Sequence, residues 1–168
     1  MAFHPNRPTF TLAAAKAMAV AGEQYARSHE AQVAIALLDA AGDLLYFQRM
    51  ERVPPISGDV ALARAQYVLI HQQRARLSQE VATLETAQTA QTAETQTTHE
   101  MQETPLYFPV VGLSQPQLLA GGRLLQIKRQ VLGAIGVSGA GAELDDRIAQ
   151  VGIAAYAAIV KANGSRAC

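Results

Sequence analysis

Cysteine occurs once in this 168-residue sequence, as Cys168, and tryptophan does not occur. A single thiol closes no disulfide within the chain and supplies no Cys-rich zinc site. An excess of charge of one sign is also missing, since 14 Lys and Arg stand against 14 Asp and Glu. With no basic tail or face, nucleic acid is not an expected partner. No apolar run is long enough to cross a bilayer, so no membrane partner is expected. The first ten residues, MAFHPNRPTF, carry prolines where a secretory signal has an apolar run, and we expect a cytoplasmic protein.

The composition that remains is 49% hydrophobic and 17% charged, which is that of a globular domain rather than of a disordered chain. The length fits one domain over residues 1–168. Thr9 or Thr11 can cap a first helix through TLAAAKAMAVAGEQYARSH, where small residues recur at helical spacing. QVAIALLDAAGDLLYFQRM predicts a hairpin, turning at Gly42. Pro54 and Pro55 interrupt regular structure, and Ser57 or Asp59 can cap a second helix running through Leu84. Residues 86–104 are Thr, Gln, Ala and Glu with no apolar stripe, which predicts a polar insertion or a mobile helix extension. A short strand is expected in LYFPVVGL, then a second hairpin with strands Arg123 to Lys128 and Val131 to Val137. A last helix begins near Ala142. The order α-β-β-α-(β)-β-β-α brings strands in hairpins rather than βαβ units. It predicts an α+β fold, an antiparallel sheet with helices packed on it.

The stretch LGAIGVSGAGAELDD has the order of parts of a phosphate cradle: apolar strand, glycine turn, helix start. Its glycine spacing is not that of a dinucleotide fingerprint. Glu143, Asp145 and Asp146 already place negative charge at the helix start, where a phosphate would be repelled. A steric role fits better. Gly133, Ala134 and Gly136 keep the strand thin, so that a helix or another subunit can lie flat on it. Ser138 and Gly139 then turn the chain and cap the helix.

GAIGVSGAGAELDDRIAQVGIAA, following the AGGRLL step, resembles the closing strand and helix of the GlcG/HbpS family, also found as the C-terminal domain of PduO-type proteins. VAIALLDAAGDLLYFQRME resembles the family's first hairpin, with Asp39, Gly42 and Arg49 at its typical positions. DVALARAQ resembles its second helix, with Arg64 where a lysine is usual. Residues from about 11 to 162 are covered, apart from the Thr/Gln tract. The family's second helix carries a Pro-Thr step, and the matching QQRAR, Gln72 to Arg76, has neither residue. The resemblance implies an antiparallel α+β domain that assembles with itself into homo-oligomers. It also implies a planar ligand, haem or a related tetrapyrrole.

The candidate site residues follow. His71, on the second helix, could ligate haem iron through a neutral ring nitrogen, and is the one candidate metal ligand. Arg49 at a strand end, Arg64 on the second helix and Arg123 beside Gly121 and Gly122 could each fork onto a carboxylate of an anionic ligand. An alternative class is a small isomerase or lyase acting on an organic acid held by those arginines. Asp39, Asp43, Asp145 and Asp146 are more simply explained by turns and a helix start. No residue is singled out as catalytic, and whether the protein is an enzyme stays open at this level.

Overall fold

A computed structural model describes residues 10–88 and 120–164. Helix α1 (Leu12–Ser28) is followed by strands β1 (Ala34–Asp39) and β2 (Leu44–Arg49), helix α2 (Ile56–Gln88), strands β3 (Gly122–Ile127) and β4 (Gln130–Ser138), and helix α3 (Ala142–Gly164). The strands form one antiparallel sheet in the order β2-β1-β4-β3. This is the α+β architecture that the hairpin pattern predicts. The expected strand in LYFPVVGL lies outside the described residues, as does the polar tract beyond Gln88, where α2 ends.

Local chemistry sets most boundaries. The Ala14 N–H donates to Thr11 Oγ1 at 3.2 Å, so Thr11 is the cap of α1. Asp39 Oδ1 accepts from the N–H groups of Ala41 and Asp43, which closes the first hairpin turn. Helix α2 begins earlier than a Ser57 or Asp59 cap would place it. The Ser57 N–H closes on Pro54 O at 2.9 Å, so the proline pair itself starts the first turn. The second hairpin turns at Lys128-Arg129 rather than at Arg129-Gln130. A β-bulge between Leu125 and Gln126 removes one residue from the ladder and moves the tip. Ser138 does not cap α3. It ends β4, and Asp145 Oδ1 accepts the Ala140 N–H from inside the helix.

The two faces of the sheet are covered differently. Helices α1 and α3 pack together on one face, over Ile35, Leu37, Ile135 and Val137. The small residues of α1 are used here. A Cβ on Gly22 would meet Ile35 and Ile148 at 3.0 and 3.2 Å. Helix α2 alone covers the other face, with Ala63, Ala65, Tyr67, Val68 and Leu69 buried against Leu38 and Ala134. The thin strand is what admits it. A Cβ on Gly136 would overlap the Ala61 carbonyl oxygen and lie 2.8 Å from the Ala65 nitrogen. The glycine stretch is therefore a seat for α2, and Ala14, Ala15, Ala19 and Gly22 of α1 and Gly152 of α3 are buried within the chain, whereas Ala154, Ala157 and Ala158 of α3 are exposed.

Candidate functional site

The charged residues singled out in the sequence fall into two groups. At the β3 edge, Arg64 rises from α2 with its side chain 9% exposed and meets Asp145 of α3, 2% exposed, at 2.7 Å. Arg64 Nη1 also donates to Val137 O, so one guanidinium ties α2, β4 and α3. Arg123 of β3 forks onto both carboxylate oxygens of Asp146 at 2.8 and 2.7 Å. That fork holds the Asp146 carboxyl below the usual carboxylate range, against the opposing effect of partial burial.

The Gly121-Gly122 step sits on these pairs. Gly121 has a φ of +83°, which favours glycine. A Cβ there would lie 2.5 Å from Val137 O and 2.9 Å from both Arg64 Nη1 and Asp145 Cβ. At Gly122 a Cβ would meet Arg64 O at 2.8 Å. The space beside both glycines is thus occupied by protein atoms, and Arg64 and Arg123 spend their charge on α3. A ligand carboxylate would have to displace Asp145 to reach Arg64, whereas Arg123, its side chain 39% exposed, keeps Nη1 outside the fork.

Arg49 is elsewhere. It ends β2, opposite Ala34, which in turn pairs with Ser138. Three strand spacings, about 14 Å, separate β2 from β3. Arg49 is exposed and makes no ion pair among the described residues, either with Glu51 or with Asp39. The structure brings Arg64, Arg123, Gly121 and Gly122 together and leaves Arg49 apart, so the three arginines do not converge on one carboxylate.

His71 lies two turns beyond Arg64 on α2. Its side chain is exposed, and its ring stands 4.3 Å from that of buried Tyr67, tilted by 53°. Neither ring nitrogen is hydrogen-bonded among the described residues. A neutral imidazole presented in this way can accept a metal coordination bond. No group of three or more His, Cys, Asp or Glu side chains that could hold a bare metal ion exists among the described residues. A shallow depression of about 330 Å³ at the start of α3 is lined by Ala140 to Leu144 and Arg147. Arg147 pairs there with Glu143 at 2.6 Å. No helix among the described residues is long and apolar enough to cross a membrane.

Residues 10–154 match the model of the family described as haem degrading protein HbpS-like. The chain belongs to the HbpS-like family. Its fold is shared with the crystal structure of Klebsiella pneumoniae protein ORFY, at 27% identity and a TM-score of 0.61, over 94% of this chain and 97% of that one. It is shared also with PduOC in a haem complex, at 20% identity and a TM-score of 0.61, over 88% and 95% of the two chains. A double mutant of Streptomyces reticuli HbpS is similar at 24% identity and a TM-score of 0.58, over 92% and 94%. The last two likenesses bear on the fold alone. No curated protein is significantly similar to this chain.

The Asp145 and Asp146 side chains are the part of this site that a reading of the sequence assigned only to a helix start. Their partners are 81 and 23 residues away, and no local pattern announces them.

Proposed function

We propose that this HbpS-like protein is a small-molecule-binding homo-oligomer whose ligand is haem or a related tetrapyrrole. The observation that carries the reading is the family match over residues 10–154. The haem held by PduOC, a protein of the same fold, supports it. The residue on this chain that fits an iron centre is His71, an exposed imidazole with both nitrogens unengaged and its ring backed by Tyr67. Haem would supply the planar apolar body and the iron, and His71 would supply a protein ligand from α2. Arg64 and Arg123 hold the scaffold beside it through their pairs with α3.

Titrating the purified chain with haemin is expected to shift the Soret band with micromolar affinity, and His71→Ala is expected to weaken that binding at least about tenfold. A shift that His71→Ala leaves unchanged removes His71 as the ligand. No shift at all removes the haem reading.

A further inference from the structure

A tyrosine one helical turn before a histidine occurs twice in this chain, as YARSH in α1 and YVLIH in α2. At this spacing the histidine side chain leans back over the tyrosine. Both pairs show the consequence, with ring centroids 4.3 Å apart in Tyr25–His29 and in Tyr67–His71. What else holds each imidazole differs. His29 Nδ1 donates to Tyr25 O at 2.9 Å and lies 3.1 Å from Ser28 Oγ, so hydrogen bonds orient that ring. His71 makes no hydrogen bond among the described residues, and the ring it touches there is that of Tyr67.

Tyr67 is a firm support. It is 3% exposed and belongs to the cluster that α2 buries with Leu38 and Ala134 of the sheet. Tyr25, near the end of α1, is only half-buried. The imidazole of His71 thus lies exposed on a fixed ring. A metal-bound histidine is ordinarily oriented by a hydrogen bond from its other ring nitrogen to a carboxylate or a carbonyl. At His71 the tyrosine ring, tilted by 53°, is the described group in place to restrict the swing of the imidazole. Restriction before binding lowers the ordering cost that binding has to meet.

We infer that Tyr67 is the positioning residue of the His71 ligand: its buried ring, rather than a hydrogen bond, holds the imidazole ready for haem iron. Tyr67 acts through His71, its own side chain being buried. The inference rests on the haem reading above and adds to it the group that orients the ligand.

Haemin titration of the full chain tests it. Tyr67→Leu removes the ring and is expected to weaken binding at least about tenfold, whereas Tyr67→Phe keeps the ring and is expected to bind within about twofold of the unmodified chain. Tyr25→Leu makes the same change beneath His29 and is expected to leave the affinity as it is. In a His71→Ala background Tyr67→Leu is expected to add no further loss, because the group it positions is gone. Tyr67→Leu that binds like the unmodified chain, or that weakens binding further beside His71→Ala, overturns the positioning role and leaves the haem reading standing. Equal losses in Tyr25→Leu and Tyr67→Leu, or in Tyr67→Phe and Tyr67→Leu, overturn it in the same way. An unmodified chain that gives no Soret shift overturns both. Proton NMR of the haem-free chain gives a second readout that does not depend on how well Tyr67→Leu folds. The ring current of Tyr67 is expected to displace the His71 ring protons from their free-histidine positions, in the unmodified chain and in Tyr67→Phe alike. Free-histidine positions in the unmodified chain overturn the inference.

Discussion

The two edges of one sheet treat their charges in opposite ways. At the β3 edge, Arg64 and Arg123 are closed onto Asp145 and Asp146, and the Gly121-Gly122 step is packed down upon them. At the β2 edge, Asp43 and Arg49 are left open beside exposed Leu44 and Phe47. Both edges contain arginines that sequence reasoning treats alike, as possible carboxylate clamps. The difference teaches that an arginine's role is set by what stands across from it. A guanidinium whose partner is a buried carboxylate of the same chain joins elements of the fold. One that has no ion pair among the described residues, as at Arg49, joins none of them.

The contrast can be broken most directly at the buried pair. Asp145→Ala leaves the Arg64 guanidinium without its carboxylate in a site where its side chain is 9% exposed. Loss of one partner of a buried pair is expected to destabilise the fold by about 3 kcal/mol. Arg49→Ala on the open edge is expected to change monomer stability by less than about 0.5 kcal/mol. Urea denaturation at low protein concentration measures both, and equal losses would abolish the distinction between the edges.

A smaller effect sharpens the role of the glycine step. Gly121→Ala must adopt a φ of +83° and place its Cβ 2.5 Å from Val137 O. The expected loss is about 2 kcal/mol from backbone strain and crowding together. A neutral Gly121→Ala would mean that the turn is not held against the ion pairs at all. Its melting temperature reads this directly.

The smallest effect is the pH dependence of the Arg123–Asp146 pair, whose side chains are 39% and 31% exposed. Solvent screening limits the pair to under about 1 kcal/mol. The folded carboxyl lies below the ordinary value of 3.8, chiefly because Arg123 donates to it. The unfolded state therefore binds its proton first as pH falls. The stabilisation is fully present above pH 3.8 and is lost as pH drops through the lower folded value. Asp146→Asn is expected to flatten the stability profile in that acid range. Acid denaturation curves of the two chains show whether it does.

Several of these features were legible in the residues. Thr11, the Asp39 turn and the prolines at 54–55 act on neighbours a few positions away, so their consequences appear within a short window of sequence. The thinness of β4 could be read from Gly133, Ala134 and Gly136, although not which element would use it. The convergence of Arg64 with Asp145 could not be read. Helical spacing places Arg64 near a stripe with Val60 and His71, yet says nothing about a carboxylate 81 residues later.

By itself, then, the sequence determined the element order, the antiparallel hairpins and the family. Hydrophobic period, turn chemistry and capping are local, and the family motifs are written in consecutive residues. Only the tertiary structure decided that α2 fills the glycine groove, that two of the three candidate arginines are bound to α3, and that Arg49 ends the outermost of the described strands, exposed. Those outcomes depend on which elements share a face and which strand lies at the margin. Such facts come from long-range packing, where one sheet order leaves a charge buried beside its partner and another leaves the same charge in water.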